Sequence, residues 1–495
     1  MHTILLTLYY LAIAPLCLYG LHRVFILYLY VKNRRVKPLV VAEFMDLPHV
    51  TVQLPVFNER YVVDRLLKSV KELDYPKDRL QIQVLDDSTD DTADYSREQI
   101  ALLKAEGYQA EWVHRVNRVG FKAGALANGL TTATGEFIMI LDADFIVSRD
   151  FLKKTIHHFT DLKVGMVQTR WGHTNRNYSL LTRAQALFLD AHFVLEQAGR
   201  SRSGRFFNFN GTGGIWRRAC IEEAGGWEHD TLTEDLDLSY RAQMHGWRFV
   251  YDNDIITPAE LPVEMNGFKS QQHRWAKGSM QTCLKVMPEL WRSPLPLYIK
   301  LEGTAHLISY LVCLPVLLCL ALQPVLPLTA QHSLFRIGLV DAPIFLLTTI
   351  PFVCYFFFAQ REVNPRGWMK ETVLIPFVVA LGVAISINNA RAVLEAILGV
   401  QSGFVRTPKY GIEKQGQTWR RGHYHMPIKS ILIGAEIGCA FYFGWLTSHA
   451  IAMRMYECVP FLALFTLGFL YVAAASVQPL LPRFGTGKVG MGLSD

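Results

Sequence analysis

The stretch "IMILDADFIVSRD" at residues 138–150 runs from four apolar residues directly into two acidic ones. Its apolar part has the composition of a buried strand, and Asp142 and Asp144 follow at the strand end. Residues two positions apart in a strand face the same side, so both carboxylates are predicted to share one face. Such a pair suits a hard divalent cation, Mg²⁺ or Mn²⁺, whose coordination a diphosphate completes. An acidic turn is the alternative interpretation.

Two further stretches read as a strand followed by a polar turn, "HVTVQLPVFNER" at 49–60 and "LQIQVLDDSTDDT" at 80–92. Helix-like patterns follow them at 61–74 and 92–106. Strands that alternate with helices predict an α/β fold with a mainly parallel sheet. Ligands of such sheets bind beyond the carboxyl ends of the strands, where the polar residues of all three stretches lie.

Polar residues at these strand ends predict a nucleotide site. Asp86 and Asp87 are predicted to accept hydrogen bonds from a uracil or a ribose, and an Asx turn is the alternative. Lys122 lies among small residues that let the backbone approach a phosphate, and it is predicted to contact a diphosphate. A solvated lysine is the equally weighted alternative. Three residues after the first strand could frame the base: Pro55, Asn58 and Glu59.

The stretch "TLTEDLDLSYRAQMHGW" at 231–247 predicts the start of a helix that Thr233 caps. Glu234 and Asp235 lie in its first turn, where the helix dipole favours carboxylates, so a purely structural role is complete by itself. The functional interpretation makes Asp235 the general base. The dipole lowers a carboxylate pKa, whereas a base works best near the operating pH, and partial burial by Trp227 or Trp275 could offset the dipole.

Two other motifs predict contacts to substrate. "NFNGTGGIWRRA" at 208–219 places glycines around Thr212, and such a turn lets the backbone come close to a ligand. "QQHRW" at 271–275 combines an amide, a guanidinium and an indole. Arg274 can grip a leaving diphosphate, and the flat face of Trp275 suits a sugar ring.

Apolar residues make up 51% of the 495-residue chain and concentrate in long stretches. Residues 1–31 are nearly all apolar and predict a spanning helix. The basic stretch "KNRRVK" at 32–37 follows, which places the next segment on the cytoplasmic side. We therefore predict a multi-pass protein of the inner or plasma membrane that contacts the lipid bilayer. No basic helix or zinc-ligand spacing occurs, so a nucleic-acid partner is not expected.

Four more spans are predicted, at 303–328, 336–358, 430–450 and 457–478. The apolar stretch 372–400 has basic residues on both sides, and its second half is polar. It is therefore predicted to be re-entrant or to lie at the membrane interface, which gives five crossings in total. A sixth span is the alternative.

Four motifs occur in order, "DDS" at 86–88, "DAD" at 142–144, "TED" at 233–235 and "QQHRW", and apolar spans follow them. The set resembles the membrane-bound processive family-2 glycosyltransferases, which include cellulose, hyaluronan and chitin synthases. The resemblance is closest to the cellulose-synthase-like mannan and glucan synthases and is strong over about residues 49–290. The segments that carry it are "VQLPVFNE", "QVLDDSTD", "KAGAL", "DADF", "FNGTGG", "EAGGW" and "QQHRW".

The resemblance implies an A-type glycosyltransferase fold, which is Rossmann-like, and a transfer that inverts the anomeric carbon. "GFVRTPKYG" at 403–411 lies where the family has a gating loop, although it departs from the cellulose synthase form. The implied and predicted roles are nucleotide-sugar binding for Pro55, Glu59, Asp87, Lys122, Asp142, Gln271 and Arg274; catalysis for Asp235, Glu234 and Arg274; acceptor binding for Trp275, Thr212 and Gly213; and metal binding for Asp142 and Asp144.

The predicted organisation inserts the glycosyltransferase domain between transmembrane helices. The units are an N-terminal transmembrane helix at 1–31, a cytoplasmic glycosyltransferase domain at 32–265, amphipathic interface helices at 266–300, a transmembrane pair at 301–358, an interface helix with the gating-like loop at 359–429, a second transmembrane pair at 430–478 and a cytoplasmic tail at 479–495.

Three functions fit these patterns. The first is the transfer of a hexose from UDP-glucose or GDP-mannose to the non-reducing end of a growing β-linked polysaccharide, coupled to export. The second is a non-processive transferase that adds one sugar to a membrane lipid. The third is a transporter or scaffold with an inactive transferase domain, against which the intact acidic set argues. The donor sugar, the linkage, the chain length and the oligomeric state are not readable from the sequence.

Overall fold

A mixed sheet of seven strands forms the centre of the region from residue 50 to residue 259 in the computed structural model, which describes residues 2–323, 342–419, 424, 426–427 and 429–480. The strands are Val50–Val56 (β1), Leu80–Asp86 (β2), Gln109–His114 (β3), Phe137–Ile140 (β4), Val164–His173 (β5), Gly214–Arg217 (β6) and Arg248–Ala259 (β7). Their order is β3-β2-β1-β4-β6-β5-β7. Within this sheet only β6 runs against the others.

Helices precede the sheet and connect its strands. The helix after β1 shows why they form, because its apolar residues Val63, Leu66, Leu67 and Val70 recur at helical spacing and are all buried. The helices up to residue 244 are His2–Asn33 (α1), Val63–Lys71 (α2), Thr92–Ala105 (α3), Phe121–Leu130 (α4), Phe151–Thr155 (α5), Leu180–Ala191 (α6), Ala198–Arg202 (α7), Arg218–Glu223 (α8) and Glu234–Met244 (α9). A π-helix at His192–Gln197 joins α6 to α7.

The α/β fold predicted from the sequence is confirmed. Strands β1, β2 and β4 lie inside the three predicted strand stretches, and α2 and α3 lie inside the two predicted helical ones. β1 pairs in parallel with both β2 and β4, so the carboxyl ends of these three strands meet at one edge of the sheet. That edge carries the predicted acidic residues.

Two apolar cores flank the sheet. One contains Val52 and Met139 and belongs to the sheet and its covering helices. The other contains Ile138 together with Ile26 of α1 and Leu381 of a later apolar helix. Alternate residues of β4 therefore face different cores, as the period of a strand requires. The sheet and the apolar helices share one of these cores, so the site at the sheet edge is fixed relative to them.

The second half of the described chain is helical. Its helices are Met265–Arg292 (α10), Leu297–Leu307 (α11), Cys313–Ala321 (α12), Ala342–Thr348 (α13), Ile350–Val363 (α14), Trp368–Thr372 (α15), Ile375–Ile397 (α16), Ser430–Ala452 (α17) and Val459–Val477 (α18). Among the described residues, five helical segments are long and apolar enough to cross a membrane: Thr7–Asn33, Pro343–Val363, Trp368–Ile397, Ser430–Ala452 and Val459–Val477.

The five candidate spans differ from the five predicted crossings in two places. The predicted span 303–328 falls on α11 and α12, and the two are bent by 52° at a short break. The stretch 372–400 was predicted to be re-entrant or interfacial, and the helical segment Trp368–Ile397 is long and apolar enough to cross a membrane, which favours the alternative of a sixth span. The end of the predicted span 303–328, the start of the one at 336–358 and nearly all of the tail at 479–495 lie outside the described residues.

The polar residues of α16 explain this second difference. Ser386, Asn388 and Asn389 are buried, and the Asn388 side chain donates a 2.9 Å hydrogen bond to the Lys269 backbone oxygen in α10. Composition indicated that this half was too polar for lipid. The structure turns its polar side chains toward protein, so the helix does not have to present them to lipid.

Helix α10 runs without interruption over 28 residues and carries the "QQHRW" motif. It is tied to the last two apolar helices by buried polar contacts. The Lys269 ammonium lies 2.7 Å from a Glu436 carboxylate oxygen and 3.0 Å from the Ser476 hydroxyl. The motif is therefore held between the sheet domain and the candidate spans. Its location at the membrane interface stays a prediction.

Candidate active site

One cavity opens at the carboxyl edge of the sheet, above the ends of β1, β2 and β4. Strand ends, α4, the start of α9, α10 and the loop 403–411 all contribute to its walls. The predicted site residues that line it are Pro55, Glu59, Asp87, Lys122, Asp142, Asp144, Glu234, Asp235, Gln271, Arg274 and Trp275. Segments separated by more than 200 residues in sequence therefore converge on one space.

Each carboxylate of the predicted metal pair has a lysine partner. The Lys122 ammonium lies 2.5 Å from an Asp142 carboxylate oxygen and 2.8 Å from the Gly211 backbone oxygen. Asp144 is buried, and its carboxylate accepts hydrogen bonds from Lys409 at 2.7 Å and from the Glu260 backbone N–H at 3.0 Å. The lysines supply positive charge beside the two carboxylates, and the solvated-lysine interpretation of Lys122 does not apply.

The acidic pair fits a hard divalent cation, because both of its side chains offer carboxylate oxygens, which such cations prefer as ligands. Diphosphate oxygens would complete such a coordination shell. In the described part of the chain, three acidic side chains come close enough to share an ion at another place, formed by Glu228, Asp230 and Asp237. Lys285 contacts all three of those carboxylates and places a positive charge among them.

The two acidic residues at the end of β2 have separate roles. Asp86 is fully buried, and its carboxylate accepts from the Ser88 backbone N–H at 2.8 Å, which is the predicted Asx turn. Asp87 lines the cavity, and both of its oxygens accept hydrogen bonds from Arg115, at 2.8 and 2.6 Å. Arg118 lies 4.0 Å from the same carboxylate.

Asp235 has the environment of a tuned base. Burial raises the pKa of its carboxyl to about 7, and the neighbouring Glu234 charge adds to the rise. Lys122 and Arg274 oppose this rise without cancelling it. Burial therefore moves the pKa of Asp235 toward the range in which a general base works at neutral pH. Thr233 occupies the N-cap position, but its hydroxyl pairs with Thr282 at 3.1 Å instead of capping the helix.

The glycine-rich turn reaches the cavity through a different glycine from the predicted one. Gly211 has φ of +81°, and a Cβ built there would lie 3.0 Å from an Asp235 carboxylate oxygen. Thr212 is fully buried, and its hydroxyl accepts a 2.8 Å hydrogen bond from the Asp142 backbone N–H. Thr212 and Gly213 thus lie behind the cavity wall, and Asn210 and Gly211 form that wall.

Arg274 reaches the cavity with its charge available. Its guanidinium carbon lies 5.0 Å from the ring centre of Phe404, and its buried Nε makes no hydrogen bond to a described residue. A planar cation with unused donors suits a diphosphate. Trp275 and Gln271 line this cavity and also a second one.

The second cavity begins at Asp235 and extends among the apolar helices. Trp171, Asn210, Asp235, Gln271 and Trp275 line both cavities, so the two spaces adjoin. The deeper walls come from α1, the π-helix, the segment after α11, α12 and α16, through Tyr19, Arg23, Glu196, His306, Tyr310, Gly382 and Asn389. A ligand that extends from Asp235 in this direction would enter the helical part of the protein.

Known proteins are similar to this chain in sequence. The family model "Glycosyltransferase like family 2" matches residues 48–278. A probable glucomannan 4-beta-mannosyltransferase 9 of Oryza sativa subsp. japonica is 31% identical over 458 residues, which is 88% of this chain and 83% of the rice protein. The chain belongs to glycosyltransferase family 2.

Two further proteins are similar to this family 2 chain. Glucomannan 4-beta-mannosyltransferase 2 of Arabidopsis thaliana is 43% identical over 253 residues, half of this chain, and the match spans only 47% of the plant protein's length. The solved structure of a mannosyltransferase from Pyrobaculum calidifontis, in complex with GDP-Man and Mn²⁺, has a TM-score of 0.52 at 22% identity. It covers 80% of this chain and is itself covered completely. The predicted family and A-type glycosyltransferase fold are confirmed.

The gating-like loop of the family 2 chain is docked over the cavity by buried carboxylates. The Glu260 carboxylate accepts from the backbone N–H groups of Tyr410, Gly411 and Ile412 at 2.9, 2.8 and 3.2 Å. Arg406 donates to a Glu59 oxygen at 3.0 Å. Burial raises the pKa of Glu59 to about 7, and the Arg406 charge opposes the rise.

Sequence reasoning missed three residues at this site. Glu260 directly follows β7, and an acidic residue after a strand end was the signal used for the other strands. Arg118 precedes the "KAGAL" segment, but nothing in its sequence surroundings distinguishes it from a surface arginine. Arg406 belongs to the loop whose family pattern this chain departs from, and only its contact with Glu59 assigns it to the cavity.

Proposed function

We propose that the chain transfers a mannosyl residue from GDP-mannose, with inversion, to the non-reducing end of a growing β-linked polysaccharide. The carrying observation is that one cavity joins Asp235, whose pKa is raised to about 7, to the acidic pair and to Arg274. The relatives' names support mannose over glucose, because they are mannosyltransferases and the archaeal neighbour holds GDP-Man. UDP-glucose, the other donor considered, has no such support.

In the proposed reaction the donor diphosphate lies against Lys122 and the acidic pair. Asp142 and Asp144 would hold Mg²⁺ or Mn²⁺, which would neutralise negative charge on the leaving diphosphate. Asp235 accepts the proton of the acceptor hydroxyl as its oxygen bonds to the anomeric carbon. The bond from that carbon to the diphosphate oxygen breaks, and Arg274 stabilises the departing charge. The products are GDP and a chain that is one sugar longer.

The second cavity supports processive synthesis. A product that must leave the site for the next donor has a continuous path from Asp235 and Trp275 toward the apolar helices. The flat faces of Trp275 and Trp171 suit sugar rings along this path. We propose that the candidate spans form a conduit for export, with the sheet domain on the cytoplasmic side, as the basic stretch 32–37 indicates.

The test uses the purified chain with radiolabelled GDP-mannose or UDP-glucose, Mg²⁺ or Mn²⁺, and an oligosaccharide acceptor. We expect label from GDP-mannose in a polymer that β-mannan hydrolases degrade. Label from UDP-glucose alone would overturn the donor assignment. A single labelled sugar on lipid would establish the non-processive alternative instead. Absence of transfer from both donors, with D235N indistinguishable from wild type, would favour the inactive scaffold.

A further inference from the structure

One end of the cavity lies above β1 and β2. Val56, Phe57, Asp87 and Arg118 line it there. In the sheet order these strands lie on the side of β4 away from β6. A nucleotide sugar that places its diphosphate at Lys122 and its sugar toward Asp235 therefore has its nucleoside at this end.

At this end of the cavity, Arg115 already makes hydrogen bonds within the protein. Its guanidinium donates to both oxygens of Asp87 and also to the backbone oxygens of Val119 and Phe121, at 3.1 and 2.9 Å. Asp87 is correspondingly held by two hydrogen bonds of 2.8 and 2.6 Å. Arg115 therefore already makes four hydrogen bonds within the protein, and the Asp87 carboxylate offers acceptors but no donor to the edge of a base.

Arg118 is different. Its guanidinium carbon lies 3.3 Å from the ring centre of Phe57, which is a stacking distance, and 5.3 Å from that of Phe121. It makes no hydrogen bond to a described residue, and its buried Nε lies 4.0 Å from an Asp87 oxygen. The result is a flat cation that an aromatic face and a carboxylate hold in place, with its N–H donors unused.

We propose that Arg118 reads the base of the donor and selects guanine by donating to the adjacent O6 and N7 acceptors, an inference that rests on the proposed function. Guanine offers these two acceptors side by side in the ring plane, which matches the parallel N–H groups of a guanidinium. Uracil offers O4 without a neighbouring acceptor, and adenine offers N7 beside an amino donor. Phe57 fixes the plane in which the match occurs. The expected preference for guanine is about 10- to 100-fold.

The first experiment needs only the wild-type protein. Calorimetry in lipid nanodiscs with Mg²⁺ compares GDP, IDP, 7-deaza-GDP and UDP. IDP keeps O6 and N7 and loses the 2-amino group, so we expect it to bind like GDP. 7-Deaza-GDP lacks N7, and we expect its affinity to fall about tenfold, toward that of UDP. Weak IDP with 7-deaza-GDP equal to GDP would mean that another edge of the base is read, and would overturn the proposal.

The second experiment assigns the effect to the residue. In R118Q we expect GDP to weaken about 10- to 100-fold and to bind no better than 7-deaza-GDP, with UDP unchanged. R118K keeps the positive charge but lacks the two parallel N–H groups of the guanidinium, so it should resemble R118Q. The control is R97Q, an exposed arginine on α3, which should leave all four affinities unchanged. Thermal unfolding checks that each variant is folded.

Two outcomes separate this inference from the proposed function. Equal weakening of GDP and UDP in R118Q would show that Arg118 contacts the ribose or the phosphates, and would overturn base reading while leaving sugar transfer intact. Wild-type protein that transfers sugar but binds UDP as tightly as GDP would do the same. Protein that binds none of the four nucleotides would overturn both.

Discussion

The two lysines that neutralise the acidic pair are held in different ways. Lys122 belongs to α4, which packs beside the sheet, and it also bonds to the Gly211 backbone oxygen. Lys409 belongs to a loop without helix or strand, 265 residues from its partner Asp144. We name the two sides of the cavity accordingly. The sheet wall contains Asp87, Lys122, Asp142 and Asp235, and the loop wall contains Phe404, Arg406 and Lys409.

This difference means that only the sheet wall is held in place by the strands and their core. The sheet wall is fixed by strand pairing and by a core shared with the apolar helices. The loop wall is held by its contacts with Glu59, Asp144 and Glu260, all of which lie outside the loop. A divalent cation on Asp142 and Asp144 would compete with Lys409 for the Asp144 carboxylate. We therefore expect the rate of sugar transfer to depend on the sheet wall, and the access of the donor to the cavity to depend on the loop wall.

The largest effect is expected for D235N in the sheet wall. Because the amide cannot accept the acceptor's proton, transfer should fall about 10³-fold. GDP binding by calorimetry should be unchanged, since Asp235 is not part of the proposed base site. D94N on exposed α3 is the matched control. Full transfer by D235N would show that another group is the base.

The two lysines provide the direct test of the comparison. K122Q should lower kcat/KM by about 100-fold, because a charged hydrogen-bond donor to the diphosphate is lost from the rigid wall. K409Q should lower it only about tenfold, because Arg406 and Glu260 still hold the loop. K409Q should also bind Mn²⁺ more tightly, as measured by electron paramagnetic resonance, since Asp144 loses its competing cation. Equal losses, with unchanged Mn²⁺ affinity, would contradict the distinction between the walls.

A smaller loss is expected for G211A. The added Cβ would lie 3.0 Å from Asp235 on a backbone with φ of +81°, so the base should move from its position. Transfer should fall about 30-fold with GDP binding retained. G204A is a matched control, because Gly204 also has a positive φ, +69°, but no atom within 4 Å of its added Cβ. Similar losses in both variants would mean that backbone strain, and not contact with Asp235, is responsible.

The pH dependence of transfer can distinguish the two walls, because each wall involves one carboxyl group with a raised pKa. Burial raises the pKa of both Asp235 and Glu59 to about 7. The base must be deprotonated, so kcat should be flat above pH 7 and fall about tenfold per pH unit below it. A fall in kcat with constant GDP affinity would assign the change to Asp235. A parallel fall in GDP affinity, absent in E59Q, would assign it to the Glu59–Arg406 contact of the loop wall.

Local patterns were enough to predict much of the sheet wall. Asp142 and Asp144 follow a run of apolar residues that reads as a buried strand, and the strand forms where it was predicted. Parallel pairing then brings neighbouring strand ends together, so one correct fold class places several side chains at once. The glycine turn shows the limit of this reasoning. Its sequence indicates a close approach, but only the backbone path decides that Gly211, and not Thr212 or Gly213, reaches the cavity.

By itself, the sequence determined the fold class, the family and the acidic edge of the sheet, because each depends on short-range patterns and on motif order. Only the tertiary structure decided the environment of α16, where buried asparagines face protein instead of lipid. It also decided which arginine is free, since Arg115 is paired with Asp87 whereas Arg118 stacks on Phe57. The same holds for the raised pKa of Asp235, because burial is a property of the packed chain and not of any one segment.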